Sequence, residues 1–194
     1  MFKNTYKLLL LFFLVGCSPE PKETVEVPVL SPARVAMTEE GKPQIVTRDD
    51  VAETIWELSQ QYEIKFSYRF LSQDSKYVVV DHDWMLEFVD WWNRVKFLFG
   101  IKYVAEGFDC DNFSDFVSIA ADFSNRDIQA ELLIGSIQVQ QKYAFGGVPS
   151  GGNHALNFFV SNKGIFVLEP QGGSSVIIEL DKYPNKTTIY QIDL

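Results

Sequence analysis

The chain is expected to fold as an α+β domain, with helices first and an antiparallel β meander second. Two patterns and the composition point there. Apolar residues recur at helical spacing as far as about residue 123, then fall into short strand-like runs after residue 130. Glycines and turns such as Ser161-Asn162-Lys163-Gly164 and Pro184-Asn185-Lys186 separate those later runs. Of the 194 residues, 46% are hydrophobic and 14% aromatic, enough to fill one core.

Thr47-Arg48-Asp49-Asp50 supplies N-cap residues for a first helix reaching about Tyr62, with Val51, Ile55 and Leu58 on one face. Short strands are expected at 64–68 and 77–80. Asp83 then caps a second helix over 84–99, which Gly100 ends. Its stripe of Trp84, Phe88, Trp91, Trp92 and Val95 has helical spacing, the signature of a core face more often than of a sugar-binding platform. A third helix over 111–123 turns Phe113, Phe116, Val117 and Ala120 inward. Strands follow at 130–140, 154–160, 164–169, 175–180 and 187–192.

The N-terminus is organised differently. Lys3 and Lys7 precede an unbroken apolar run from Leu8 to Gly16. As a helix that run covers roughly 14 Å, about half of a bilayer core, so it reads as a signal peptide and not a membrane span. The run closes Leu14-Val15-Gly16-Cys17, which resembles the lipobox of bacterial lipoproteins. That resemblance implies cleavage before Cys17 and lipidation there, giving membrane attachment in the cell envelope. Ser18 in the next position implies the outer membrane. Residues 17–46 then form a lipidated, proline-rich tether of on the order of 90 Å when extended, with the domain at 47–194. Removing Lys3 and Lys7 from the 17 basic residues leaves 15 against 26 acidic ones, a formal charge of −11. A surface so acidic excludes nucleic acid and anionic lipid as partners.

With Cys17 consumed, Cys110 has no disulfide partner, because the chain holds two cysteines. Cys110 falls where the third helix starts, and the positive end of the helix dipole favours a thiolate. A thiol nucleophile needs a base, and there are two histidines. His82 sits between Asp81 and Asp83 in a solvated setting. His154 opens a strand after Gly151-Gly152. If Asn162-Lys163 is the hairpin loop, paired residue numbers sum to 325, so Leu156 faces Glu169, His154 faces Gln171, and Glu169 lies diagonal to His154, within roughly 7 Å. Each residue alone is more often structural: a buried thiol, a satisfied strand-end histidine, a surface carboxylate. In chain order they suggest Cys110 as nucleophile, His154 as base and Glu169 orienting the ring, with Gln171 its neighbour or substitute.

That order, with Asp109-Cys110-Asp111-Asn112-Phe113, Asn153-His154-Ala155-Leu156-Asn157 and Leu168-Glu169-Pro170-Gln171-Gly172, resembles the papain-like and transglutaminase-like cysteine enzymes. It is similar in particular to the C-terminal protease domain of the Marasmius oreades agglutinin. The resemblance covers about residues 100–175. It implies cysteine-peptidase chemistry on peptide or amide bonds through Cys110, His154 and Glu169, no required cofactor, and calcium as a candidate ligand. The Phe108-Asp109-Cys110 run also resembles the motif of NlpC/P60 peptidoglycan endopeptidases, although Asp111-Asn112 stands where that family has Ser-Gly. A non-catalytic envelope lipoprotein that binds a partner is the reading from another class. The papain-type glutamine that completes an oxyanion hole has no counterpart before Cys110.

Asp109 and Asp111 flank the thiol, and two negative charges oppose a thiolate. Either they point away, Asp111 capping the helix, or a cation neutralises them. Oxygen ligands from Asp109, Asp111, Asp115, Glu169 or Gln171 would suit calcium; one thiol and one histidine make a poor set for a transition metal.

Overall fold

The computed structural model describes residues 26–64, 67–69, 75–105, 107, 109–125 and 130–193; the leader, Cys17 and Phe108 lie outside the described residues. In chain order the strands are β1 (Ile45–Thr47), β2 (Ser67–Arg69), β3 (Lys76–Val78), β4 (Glu131–Leu132), β5 (Ile134–Gln140), β6 (Asn153–Ser161), β7 (Gly164–Glu169), β8 (Val176–Glu179) and β9 (Ile189–Asp193). The helices are α1 (Arg48–Gln61), α2 (His82–Phe99) and α3 (Cys110–Ser124). The domain is α+β.

Helix α1 begins with a capping box. Asp50 N–H donates to Thr47 Oγ1 at 3.2 Å, and Thr47 N–H donates to Asp50 Oδ2 at 2.8 Å. Helix α2 is capped by Asp81, not Asp83: Asp81 Oδ1 accepts from Trp84 N–H at 2.9 Å, so the helix starts at His82. Asp83, two positions further, falls inside the first turn, where its charge still favours the dipole. Gly100 ends α2 in the left-handed conformation at φ 60°. On α3 the inward residues are Phe113, Ser114, Val117 and Ala121. Phe116 lies towards the rim, where it stacks on Trp92 at 5.1 Å between centroids.

The larger sheet has the order β2-β9-β5-β6-β7-β8, and a smaller one joins β1-β3-β4. The stretch expected as one strand over 130–140 is divided at Leu133, where the chain leaves β4, parallel to β3, and enters β5 of the larger sheet. β5 to β8 form the meander. Two 3-10 turns, Leu180–Lys182 and Lys186–Thr188, then carry the chain back, and β9 pairs antiparallel with β5 and parallel with β2.

Alternate residues of the central strands feed two cores. Phe159 and Leu168 join Trp84, Phe88, Trp92, Phe113 and Val117, so the tryptophan stripe is core. Leu156, Phe158 and Val167 join Ile137, Val139 and Tyr183. The second half of the expected tether is also part of the domain. Pro28 and Ser31 carbonyls accept the indole N–H groups of Trp91 and Trp84 at 3.0 and 3.3 Å. Ala36 is buried and donates its N–H to Val79 O at 2.8 Å. Proline removes a backbone donor but keeps its acceptor, and Trp91 uses the one on Pro28.

Candidate active site

Helix α3 is fastened to β6 by two polar side chains. Ser114 Oγ donates to Leu156 O at 3.2 Å, and Asn157 Nδ2 donates to Ser114 O at 3.0 Å and to Ser118 Oγ at 3.1 Å. One helical turn before Ser114 is Cys110, and two residues before Leu156 is His154. The fastening therefore carries the thiol to the start of β6. Gln141 shapes the preceding loop by donating its side-chain amide to Val148 O and Pro149 O, both at 3.1 Å.

The β6–β7 ladder holds the expected register from Asn157↔Leu168 to Ser161↔Gly164. Beyond it the strands bring His154 and Glu169 into direct contact: His154 Nε2 lies 2.6 Å from Glu169 Oε2, with side-chain exposures of 5% and 0%. The other oxygen, Glu169 Oε1, accepts the backbone N–H of Gln171 at 2.8 Å. Gln171 thus meets the carboxylate through its backbone and not its side chain, whose carbonyl oxygen is buried with no hydrogen-bond partner among the described residues.

With Nε2 taken, Nδ1 is the ring nitrogen left for the thiol. Burial pulls the His154 pKa down, but the Cys110 thiol and Glu169, through hydrogen bonding and charge, outweigh it and lift the pKa to about 9. Cys110 itself is half-buried, and its Sγ stands 3.7 Å from Asp111 Oδ1. His82 is apart from this group: its ring lies tilted against Phe166 at 4.8 Å between centroids, and its Nδ1 is buried with no hydrogen-bond partner among the described residues.

The flanking acids are arranged around the helix start. Asp109 is the N-cap residue, its N–H donating to Asn112 Oδ1 at 3.1 Å, so it takes the place expected of Asp111. Asp115 has its pKa raised by burial and by the charges of Asp111 and Asp193. Among the described residues, no three His, Cys, Asp or Glu side chains are grouped to hold a metal ion, and both Glu169 oxygens are already engaged. Of the residues expected to ligate calcium, Asp109 caps α3, Asp111 Oδ1 stands beside the Cys110 thiol, and Gln171 meets Glu169 through its backbone N–H.

Three residues beside the site carry no pattern in the sequence. Gly146, at φ 57°, passes so close to Glu169 that a Cβ there would stand 2.6 Å from Glu169 Cγ. Tyr190 on β9 donates its hydroxyl to Gln138 Oε1 at 3.1 Å; its pKa is raised by burial and by the Asp111 and Cys110 charges. Lys96 of α2 is buried against the turn after β7. A Gly-Gly pair at a turn tip could have flagged the first; the others depend on long-range packing.

The fold is similar to two solved structures. A complex of PSL1a with E64 matches at 20% identity and a TM-score of 0.55, over 77% of this chain and 50% of that one. Polyporus squamosus lectin, bound to the human-type influenza-binding epitope Neu5Acα2-6Galβ1-4GlcNAc, matches at 19% identity and a TM-score of 0.53, over 77% of this chain and 49% of that one. At such identity the likeness is one of fold, and this chain spans about half the length of either structure. No protein-family model matches the sequence, and no curated protein matches it. Among the described residues, no helix is long and apolar enough to cross a membrane.

Proposed function

We propose that the domain is a cysteine hydrolase of the papain-like and transglutaminase-like kind, cleaving peptide or amide bonds through Cys110, His154 and Glu169. One observation carries the reading: a buried imidazole held by a carboxylate at 2.6 Å on one nitrogen and influenced by a thiol at a helix N-terminus. A His154 pKa of about 9 keeps the ring protonated at neutral pH, which favours a thiolate–imidazolium pair.

In this scheme the Cys110 thiolate attacks the carbonyl carbon, and the negative charge moves to the carbonyl oxygen. The imidazolium gives its proton to the leaving amine, the C–N bond breaks, and a thioester remains. His154, now neutral, takes a proton from water as the water oxygen attacks the thioester; the C–S bond breaks, and the acid leaves. Glu169 keeps the ring turned so that Nδ1 serves the thiol throughout. The backbone N–H groups of the first α3 turn lack intrahelical acceptors and are the donors suited to the oxyanion.

Cys17 is proposed to carry a lipid that holds the domain in the cell envelope at the outer membrane, on the strength of the lipobox resemblance. The solution of a fold neighbour as an E64 complex supports testing a thiol-directed ligand on this chain. Purified protein is incubated with casein and, in parallel, with muropeptides. Cleavage of either that disappears in Cys110→Ala supports a hydrolase, and the preferred substrate separates a general peptidase from a peptidoglycan endopeptidase. No cleavage, together with an unchanged cellular phenotype for Cys110→Ala, would leave the binding lipoprotein as the reading.

A further inference from the structure

We propose that Lys96 is a positioning residue for the His154–Glu169 pair, its ammonium fixing the turn at 170–175 that holds Glu169 in place. The inference deepens the hydrolase reading, since it concerns the same pair, but its geometry stands independently of any reaction.

Lys96 is 5% exposed, and a lysine buried that deeply needs a full set of acceptors. It has three. Nζ donates to Pro170 O at 2.9 Å, to Gly172 O, and to Ser175 Oγ at 2.8 Å. An ammonium has three N–H donors, so none is left over and no lone pair is available. The Ser175 hydroxyl is likewise spent on Pro170 O at 3.2 Å. This rules out a second Ser-Lys nucleophile, because neither group is free to accept or give a proton to a substrate. What remains is a mechanical role.

The neighbouring residues of α2 grip the same turn. Trp92 Nε1 donates to Pro170 O at 3.0 Å, and Asn93 Oδ1 accepts Ser175 N–H at 2.6 Å. Between Pro170 and Gly172 stands Gln171, whose backbone N–H holds Glu169 Oε1. Lys96 binds the carbonyls on both sides of that residue, so it sets the plane of the amide that aims the carboxylate. Gly172 completes the arrangement: a Cβ there would meet Gly146 O at 2.0 Å, so the turn also lies tightly under the glycine loop. Burial lowers the Lys96 pKa to about 8, while the Glu169 charge raises it, so the ammonium form persists at neutral pH.

The test exploits the presence of two histidines. In a His82→Gln background, the ring signals of His154 are followed by NMR as a function of pH, with and without Lys96→Met. Loss of a nearby positive charge alone would raise the His154 pKa or leave it unchanged. Loss of aim at Glu169 lowers it, from about 9 towards about 6.5. A lowered value with the native spectrum retained is the expected result. An unchanged or raised value overturns the proposal. Ser175→Ala, which removes one acceptor and leaves the charge, keeps the question decidable if Lys96→Met does not fold; it should shift His154 the same way by a smaller amount, and no shift overturns the proposal. Alkylation of Cys110 in the unsubstituted protein, read separately, reports on the hydrolase reading and can fail without touching this one.

Discussion

His154 Nε2 meets Glu169 Oε2 at 2.6 Å, with the carboxylate wholly removed from solvent and its second oxygen held by the Gln171 amide. An imidazole bound in this way has one orientation. Replacing Glu169 with Gln keeps the shape and removes the charge. Burial then dominates the His154 equilibrium and pushes its pKa down, so the thiolate loses its counter-ion. Turnover is expected to fall about 10²–10⁴-fold, with the acidic limb of the Cys110 alkylation profile moved to higher pH. A rate within twofold of the unsubstituted protein would remove Glu169 from the mechanism.

Stability should depend on pH through the same ring. The folded-state pKa of His154, about 9, lies above the ordinary value of about 6.5, so the native state holds the extra proton between them. That contribution is complete below about pH 6.5 and is lost as pH rises towards 9. Lys96 acts oppositely but later: its pKa is lowered to about 8, so its cost is relieved only between about 8 and 10.5. The window free of Lys96 is therefore pH 6.5 to 8, and in Cys110→Ala, where no thiolate offsets the imidazolium's proton, urea denaturation there should show a loss of roughly 1 kcal/mol. In His154→Gln that slope should vanish.

Gly146→Ala tests how closely the glycine loop presses on the site. The residue has φ 57°, and the new Cβ would stand 2.6 Å from Glu169 Cγ. Backbone strain and the clash together should cost about 1–3 kcal/mol in thermal denaturation. Cys110 alkylation should slow in step, because Glu169 has to move. Gly147→Ala, where a Cβ meets nothing within 4 Å, is the control: strain without the clash.

What the sequence made legible follows from locality. The Thr47 cap, the Gly100 stop and the β6–β7 register depend on residues close in the chain, and each was readable from spacing. The adjacency of His154 and Glu169 follows from one hairpin. Other features depend on distant partners. Residues 28–36 look like a free proline-rich tether until Trp84 and Trp91 supply donors for their carbonyls. Asp83 reads as the cap of α2 until the backbone entering from β3 gives that place to Asp81. Phe116 has helix periodicity for the core, yet Trp92 leaves it only a rim position. Lys96 gave no signal at all, since its acceptors, two carbonyls and a hydroxyl, lie 74 to 79 residues away.

The docked N-terminal segment makes its own prediction. A chain starting at Pro28 should melt with the full-length domain, whereas one starting at Met37 loses the packing of Leu30, Ala33, Val35 and Ala36 on the core. A destabilisation of about 2–4 kcal/mol is expected from that apolar area, seen as a lower urea midpoint. Equal midpoints would show that the segment is a tether along its full length.

The most direct test of the central claim is the rate at which iodoacetamide alkylates Cys110 at pH 6.5, compared with a free model thiol. An activated thiolate paired with His154 predicts a rate at least about tenfold above the model thiol, falling to or below it in His154→Ala. A Cys110 that reacts no faster than the model thiol, and equally fast with or without His154, would contradict the account.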